Sequence, residues 1–338
     1  MSSLQQHVSL KPYNTFSIQA NADFFVDIKE ESDLKELFKD VDQKGQEILI
    51  LGGGSNMLFT KDFEGLVVKI SIPGINYTEN GDEVMVTAGG GVVWNDLVSF
   101  CVAKGFAGIE NLTLIPGTVG ASPIQNIGAY GVELKDVFFS CRAFELATGK
   151  MVTFQHADCN FGYRESVFKN ELKGKYILTS VTFKLNKKAI IRTQYGAITD
   201  ELAKRNIKQP TIDDVSKVVA AIRVSKLPDP STIGNAGSFF KNPIIEETQF
   251  DRIIAEFPEV VHYPAPAGKI KLAAGWLIEQ CGFKGKIVGE TGTWKNQALV
   301  LVNHGKATGQ EVYDFSEQII NSVHAKFGVV LSREVNIF

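Results

Sequence analysis

The chain has 338 residues, 44% of them hydrophobic and 22% charged, with a formal net charge of −3 at pH 7. A chain this long buries a sizeable core and is expected to divide into more than one domain. No basic surplus points to nucleic acid, so any anionic ligand needs a local cluster of cations. The four cysteines, Cys101, Cys141, Cys159 and Cys281, are far apart, form no CxxC pair and suit a reducing compartment. Five scattered histidines have no ligand spacing, so no catalytic metal is expected. The opening stretch MSSLQQHVSLKPYNTFSIQA has neither a basic n-region nor an apolar h-region, and no apolar run approaches membrane-spanning length. A cytoplasmic protein without a membrane partner is expected; a monomer is compatible with the sequence, which does not set the oligomeric state.

In chain order, FFVDI (24–28) predicts a strand, ESDLKELFKDVDQKG (31–45) a helix, and EILIL (47–51) and GLVVKI (65–70) two further strands, together one α/β unit. Residues 70–187 carry short strands: EVMVTAG (83–89), VFFSCRAFEL (137–146), KMVTF (150–154) and YILTSVTFKL (176–185). One helix, VWNDLVSFCVAKG, interrupts them and ends at Gly105 as a C-terminal glycine cap. From about residue 210 the helical period dominates. TIDDVSKVVAAIRVSK (211–226) starts at Thr211 as N-cap with Asp214 three residues on, and presents Val215, Val218, Val219 and Ile222 as its apolar stripe. KLAAGWLIEQC, closed by Gly282, and QEVYDFSEQIINSVHAKF, closed by Gly328, read as two further helices, and the tail VVLSREVNIF alternates as a strand. The succession predicts three α+β units: residues 1–70, 71–190 and 191–338.

Two glycine-rich segments stand out. EILILGGGSNMLF runs an apolar strand into Gly52, Gly53, Gly54, Ser55 and Asn56. Consecutive glycines let backbone N–H groups converge on a pyrophosphate, although the same residues also fit an ordinary turn. A Rossmann fingerprint needs a glycine where Met57 stands and a helix where loop and strand follow, and no Walker GK[ST] occurs. The second segment, IPGTVGASPIQNIGAYG (115–131), shows no period over a length at which loops are uncommon unless functional. Its apolar Ile115, Val119, Ile124 and Ile127 do not suit a solvated linker, which favours an ordered cofactor loop.

GGGSN, IPGTVGASPIQNIGAYG, FGYRES, RVSKLPDP, GNAGSFFKNP and KLAAGWLIEQCGFKG, in this order between Asn14 and Phe338, resemble the UDP-N-acetylenolpyruvoylglucosamine reductase family. The resemblance implies an α+β fold of the vanillyl-alcohol-oxidase (PCMH) type. Two subdomains, together about 16–187, hold FAD, and a third α+β domain closes the substrate site. It assigns Gly52, Gly53, Gly54, Ser55 and Asn56 to the FAD pyrophosphate. Pro116, Gly117, Gly120, Ala121, Ser122, Ile124, Gln125, Asn126, Ile127 and Gly128 fall to the ribityl chain and isoalloxazine. Ser55 and Asn56 stand where some relatives in the wider fold carry an anchoring histidine, which implies non-covalent FAD.

The resemblance further implies that NADPH reduces FAD, that NADP⁺ leaves, and that an enolpyruvyl sugar nucleotide replaces it. Hydride then passes from N5 to the terminal vinyl carbon and an enzyme acid protonates its neighbour, giving UDP-N-acetylmuramate, a peptidoglycan precursor. Arg164 of FGYRES matches the arginine at the substrate carboxylate, a role its planar fork suits, though any single arginine also suits a surface ion pair. Ser238 of GNAGSFFKNP is the implied acid and Glu334 of LSREVNIF the implied catalytic glutamate. By alternation Ser332, Glu334 and Asn336 share one face of the tail, which by itself fits a solvated carboxylate. An ionised Glu334 repels a substrate carboxylate, a conflict that a proton held or shared in the site removes. Tyr163, Arg223, Lys226, Asn242 and Gln297 are implied substrate contacts, and Tyr195 in RTQYGAI implies the long type of the family, in which a tyrosine-bearing loop covers the UDP part. A cation at a helix C-terminus is favourable without a ligand, so Lys226 also has a purely structural reading.

Three competitors remain. A serine hydrolase needs a GxSxG elbow or equivalent base, and no serine here has one. Another FAD-dependent oxidase or dehydrogenase on the same fold differs by reoxidising through O₂. A catalytically silent sugar-nucleotide binder differs by holding no FAD.

Overall fold

The computed structural model describes residues 3–40, 47–188 and 190–338, and these fall into two compact units. The first comprises Met1–Val8, Ala22–Gly53 and Glu64–Arg223; the second comprises Ser9–Asn21, Gly54–Phe63 and Val224–Phe338. Met1 and Ser2 of the N-terminal stretch, and residues 41–45 of the predicted first helix, lie outside the described residues.

The first unit is built on two sheets. One has the order Gln5–Ser9, Asn21–Ile28, Phe63–Ile70, Glu47–Leu51, with its last two strands parallel and Glu47 opposite Gly65. Residues 52–62, with the glycine run, connect the two parallel strands, and the helix Glu31–Asp40 lies earlier in the chain, between Asn21–Ile28 and Glu47–Leu51. Val26, Ile28, Leu34, Leu66, Val68 and Ile70 form the core between this helix and the sheet. The other sheet is antiparallel, in the order Met151–Gln155, Phe138–Glu145, Tyr176–Asn186, Glu83–Gly89, Ile75–Asn80. The helix Trp94–Lys104 packs Trp94, Leu97, Val98 and Cys101 onto it and ends at Gly105, whose φ of 74° is the left-handed cap the sequence predicts. The helix Ile212–Lys226 starts at a reciprocal Thr211–Asp214 cap, the Thr211 backbone N–H donating to the carboxylate at 2.9 Å. Its predicted stripe is buried against Ile198 and Leu202 of the helix Gly196–Lys204.

The second unit corrects the helical reading of the region beyond 210. It holds a four-stranded antiparallel sheet, ordered Gly234–Ser238, Gln297–Asn303, Thr291–Trp294, Ile287–Val288, with helices Ala274–Gln280 and Gly309–Phe327 packed on it, and a further helix, Glu247–Glu256. Val300, Leu301 and Val302 are buried in succession, so this stretch lacks the alternation that marks a half-exposed strand. The long helix starts at a capping box between Thr308 and Glu311 and ends at Gly328, φ 65°. At its first residue an added Cβ would lie 1.6 Å from the Phe59 carbonyl oxygen, so only glycine permits the approach.

The tail is also corrected. Only Asn336–Ile337 forms a strand, parallel to Met57–Leu58, and Arg333 makes a single bridge to Phe240. Its alternation survives as burial: Leu331 and Val335 are buried while Ser332 and Asn336 are exposed. The tail lacks a partner of matching length, and isolated bonds replace a ladder.

Candidate functional site

In the first unit, segments distant in sequence close on a floor of backbone. A Cβ on Gly53 would lie 2.8 Å from Gly117 Cα, and one on Gly52 would lie 2.6 Å from Thr118 Oγ1. A Cβ on Gly120 would lie 3.0 Å from Gly90 Cα, and the Gly120 N–H donates to the Gly90 carbonyl at 2.9 Å. Gly90, which the sequence reading passed over, thus seats the 115–131 segment on the sheet, while its neighbours Gly89 and Gly91 pack against residues 71–73, a Cβ on Gly91 lying 2.3 Å from the Ser71 carbonyl carbon. A glycine run immediately after a predicted strand was the available signal. Thr118 Oγ1 is buried with no protein hydrogen-bond partner. A donor in that state beside side-chain-free backbone fits an oxygen-rich ligand such as the FAD pyrophosphate.

Other residues of the segment are engaged with the protein. Ser122 Oγ donates to the Val119 carbonyl at 2.7 Å. Asn126, fully buried at φ 43°, donates to the Gly162 carbonyl at 2.9 Å and to Glu133, and accepts from the Lys135 N–H. Ser166 Oγ donates to the Ile124 carbonyl at 2.6 Å. These bonds staple the FGYRES loop to the glycine-rich segment.

Arg164 sits at the crown of that loop in the left-handed region, φ 58°, a costly conformation for an arginine. Its Nη2 donates to the Gly128 carbonyl at 2.8 Å and its guanidinium lies 5.6 Å from the centre of the Tyr163 ring. Arg223 lies in reach of its charge. Burial pushes the Arg223 pKa down, the Tyr130 hydroxyl opposes this, and the Arg164 charge adds to it. Burial likewise pushes the Tyr130 phenol up, which Arg223 counters. Tyr130 packs edge-on against Tyr195 at 5.4 Å between ring centres. Two half-buried guanidinia beside two phenols concentrate positive charge and donors of the kind an anion needs, in a chain whose net charge offers none. Tyr130, the missed member, lay inside the quoted segment as its one aromatic residue.

In the second unit Ser238 closes the strand Gly234–Ser238 and pairs with Val300. The register shifts between Asn235 and Ser238, with Gly237 at φ 67° and its N–H donating to Asn235 Oδ1 at 3.0 Å. This bulge re-aims the serine relative to a regular strand. Phe239 and Phe240 are fully buried, edge-on at 5.3 Å, with Phe239 also edge-on to Phe16 at 6.1 Å. They anchor the turn.

Glu334 is held next to this turn. Its N–H donates to the Phe239 carbonyl at 2.8 Å, and the Lys241 N–H donates to the Ser332 carbonyl at 2.9 Å. Asn56 Nδ2 donates to the Glu334 carbonyl at 3.3 Å, while the Asn56 carbonyl accepts from Asn336 Nδ2 at 2.9 Å. Gly54, at φ 63°, would place a Cβ 1.9 Å from the Tyr13 carbonyl oxygen. Asn242 Oδ1 accepts from the Ala274 N–H at 3.0 Å, capping the helix Ala274–Gln280. The Gln297 amide oxygen approaches the first turn of that helix, 2.6 Å from where a Gly275 Cβ would stand. Lys226 is exposed at the last position of its helix. The predicted residues are thus gathered into two sets. The first unit holds Gly52, Gly53, residues 116–128, Tyr163, Arg164, Tyr195 and Arg223. The second holds Gly54, Ser55, Asn56, Lys226, Ser238, Asn242, Gln297 and Glu334.

Among the described residues no helix is long and apolar enough to cross a membrane. Residues 22–155 match the family described as an FAD binding domain, and residues 229–338 match the C-terminal domain of UDP-N-acetylenolpyruvoylglucosamine reductase. The UDP-N-acetylenolpyruvoylglucosamine reductase of Flavobacterium johnsoniae is 50% identical, covering 99% of both chains. That of Chromobacterium violaceum is 47% identical over 97% of this chain and 96% of its own. A solved reductase of the same description from Thermus caldophilus shares the fold along the whole of both chains, with a TM-score of 0.68 at 21% identity. The α+β FAD-binding fold and the family expected from the motifs are both borne out. The chain belongs to the UDP-N-acetylenolpyruvoylglucosamine reductase family.

Proposed function

We propose that the protein reduces UDP-N-acetylglucosamine enolpyruvate to UDP-N-acetylmuramate, in peptidoglycan precursor synthesis, with non-covalent FAD and with NADPH as electron donor. The observation that carries this reading is the pairing of residues 239–241 with 332–334, which ties the serine turn to the glutamate-bearing tail in a chain 50% identical to a reductase of this name. In this reading residues 1–70 and 71–190 are the FAD-binding subdomains and 191–338 the substrate-binding domain. FAD, when bound, supplies the hydride that the terminal vinyl carbon accepts.

The protein's own residues do the rest. Gly52, Gly53 and Gly117 leave backbone N–H groups for the pyrophosphate, and Thr118 Oγ1 offers a further donor. Arg164 holds the substrate carboxylate, so that charge building on it as the vinyl carbon is reduced meets a fixed cation. Arg223, Lys226, Tyr163, Tyr195, Asn242 and Gln297 bind the sugar nucleotide, Asn242 through its amide nitrogen since its oxygen caps a helix. Ser238 passes its hydroxyl proton to the carbon next to the reduced one. A serine hydroxyl is a poor acid, and Glu334 or Lys241 assists its proton. The test is product formation: protein given NADPH and the enolpyruvyl sugar nucleotide yields UDP-N-acetylmuramate by mass spectrometry. NADPH consumption that depends on O₂ and leaves the sugar nucleotide unchanged overturns the proposal in favour of an oxidase.

A further inference from the structure

The tail that carries Glu334 is paired only in short pieces, by backbone bonds to residues 239–241 and to residues 56–60, so a side-chain anchor adds to what fixes its register. Arg333 is fastened to one helix by three side-chain contacts. Its Nη2 donates to Glu317 Oε1 at 2.6 Å, its Nε donates to Ser316 Oγ at 2.8 Å, and its guanidinium lies 4.3 Å from the centre of the Tyr313 ring. Residues 313, 316 and 317 stand on one face of the helix Gly309–Phe327, at the i, i+3, i+4 spacing that brings side chains together. The Ser316 hydroxyl is itself buried and fixed by donating to the Tyr313 carbonyl at 2.5 Å. A planar fork stacked on a ring and bonded at two nitrogens has one orientation, which a lysine in its place lacks.

We propose that Arg333 is the positioning residue for Glu334, acting as a bolt that locks the tail's register against the serine turn. The proposal rests on the role given to Glu334 above. Three facts carry it. Adjacent side chains of an extended segment point to opposite faces, so fixing Arg333 on the helix turns Glu334 away from that helix. The two backbone bonds to Phe239 and Lys241 flank Arg333 on either side, and its bridge to Phe240 lies between them. A slip by one residue would exchange the two faces and remove the carboxylate from its place. Stability alone gives a weak reason for the cluster. Glu317 is 41% exposed, and ion pairs with a partner so exposed contribute little to folding. The gain lies in precision, which a reaction geometry needs more than a fold does.

The test uses the FAD-loaded full-length protein and the variants R333Q, R333K, E317Q and E334Q. Amide exchange of residues 331–338 is followed by mass spectrometry, and the NADPH and enolpyruvyl half-reactions by anaerobic stopped-flow. R333Q is expected to speed exchange in the tail by about tenfold or more and to slow the enolpyruvyl half-reaction by roughly tenfold, with the NADPH half-reaction within about twofold of wild type. R333K recovers part of both losses. E317Q, which keeps the ring stack and the Ser316 bond, shows a smaller loss of the same kind and serves if R333Q does not fold. Unchanged exchange, or exchange that rises with no selective effect on the enolpyruvyl step, overturns the proposal, as does an equal fall in both half-reactions. E334Q separates the two ideas. If it too leaves the enolpyruvyl step intact, the role of Glu334 fails; if it slows that step while R333Q does not, only the bolt fails.

Discussion

The backbone N–H of Glu334 donates to the carbonyl of Phe239 at 2.8 Å, one residue past Ser238. Two segments distant in sequence therefore carry a hydroxyl and a carboxyl on neighbouring backbones. If Ser238 is the proton donor, it has work only after the substrate arrives. Ser238→Ala is expected to leave bleaching of the flavin by NADPH nearly intact and to slow product formation by roughly 10²-fold or more. Equal damage to both half-reactions would make Ser238 structural.

Arg164 makes a corresponding prediction in the other unit. Its fork holds the Gly128 carbonyl with Nη2, and its left-handed backbone is kept in place by the bonds of Asn126 and Ser166. Arg164→Ala is expected to slow the enolpyruvyl half-reaction by about 10²-fold, and Arg164→Lys, which keeps the charge without the fork, is expected to recover only a minor part. Turnover of Arg164→Ala near wild type would leave a surface ion pair as the better reading.

If the glycine floor holds the FAD pyrophosphate, cofactor retention is expected to depend on Gly53. A methyl there meets Gly117 Cα at 2.8 Å, backbone against backbone, so neither side can yield by rotating a side chain. Overpacking of this kind costs about 1–3 kcal/mol, so Gly53→Ala is expected to bind FAD roughly tenfold more weakly or worse, read from flavin fluorescence. Gly196→Ala is the control: its φ is not positive, no atom lies within 4 Å of the new methyl, and it should keep its flavin. Equal FAD affinity in Gly53→Ala and wild type would move the pyrophosphate elsewhere.

Burial pushes the Cys101 thiol up to about 12, and this gives stability a pH dependence. The folded state favours the neutral thiol, whereas the unfolded chain ionises near pH 8.5, so the contribution is complete below about pH 8.5 and is lost as pH rises from there towards 12. Urea unfolding between pH 8 and 10.5 should show wild-type stability falling more steeply than that of Cys101→Ala. Parallel slopes would mean that the thiolate is tolerated in the fold.

Much of the fold is legible where local signals and tertiary pairing agree. The strands Glu47–Leu51 and Glu83–Gly89 coincide with the predicted runs, and Gly105, Gly282 and Gly328 end their helices in the left-handed conformation. Elsewhere, pairing overrides composition. GNAGS has no strand propensity and becomes a strand only because Asn235 and Ser238 find Val302 and Val300. Conversely, the tail alternates like a strand but lacks a partner of its length. The site shows the same limit. Glycine runs and FGYRES announce themselves, but the bond from Asn126 to Gly162 and the closeness of Arg164 to Arg223 join residues dozens of positions apart. No local pattern encodes those distances.

The most direct test of the proposed reaction separates its two halves in one instrument. The protein-bound flavin is reduced anaerobically with NADPH, and UDP-N-acetylglucosamine enolpyruvate is then mixed in by stopped-flow. The account predicts rapid return of the oxidised flavin absorbance, one equivalent of UDP-N-acetylmuramate per flavin, and no return when the sugar nucleotide is omitted. Flavin that stays bleached after the enolpyruvyl substrate is added, and recovers only when O₂ is admitted, would contradict it.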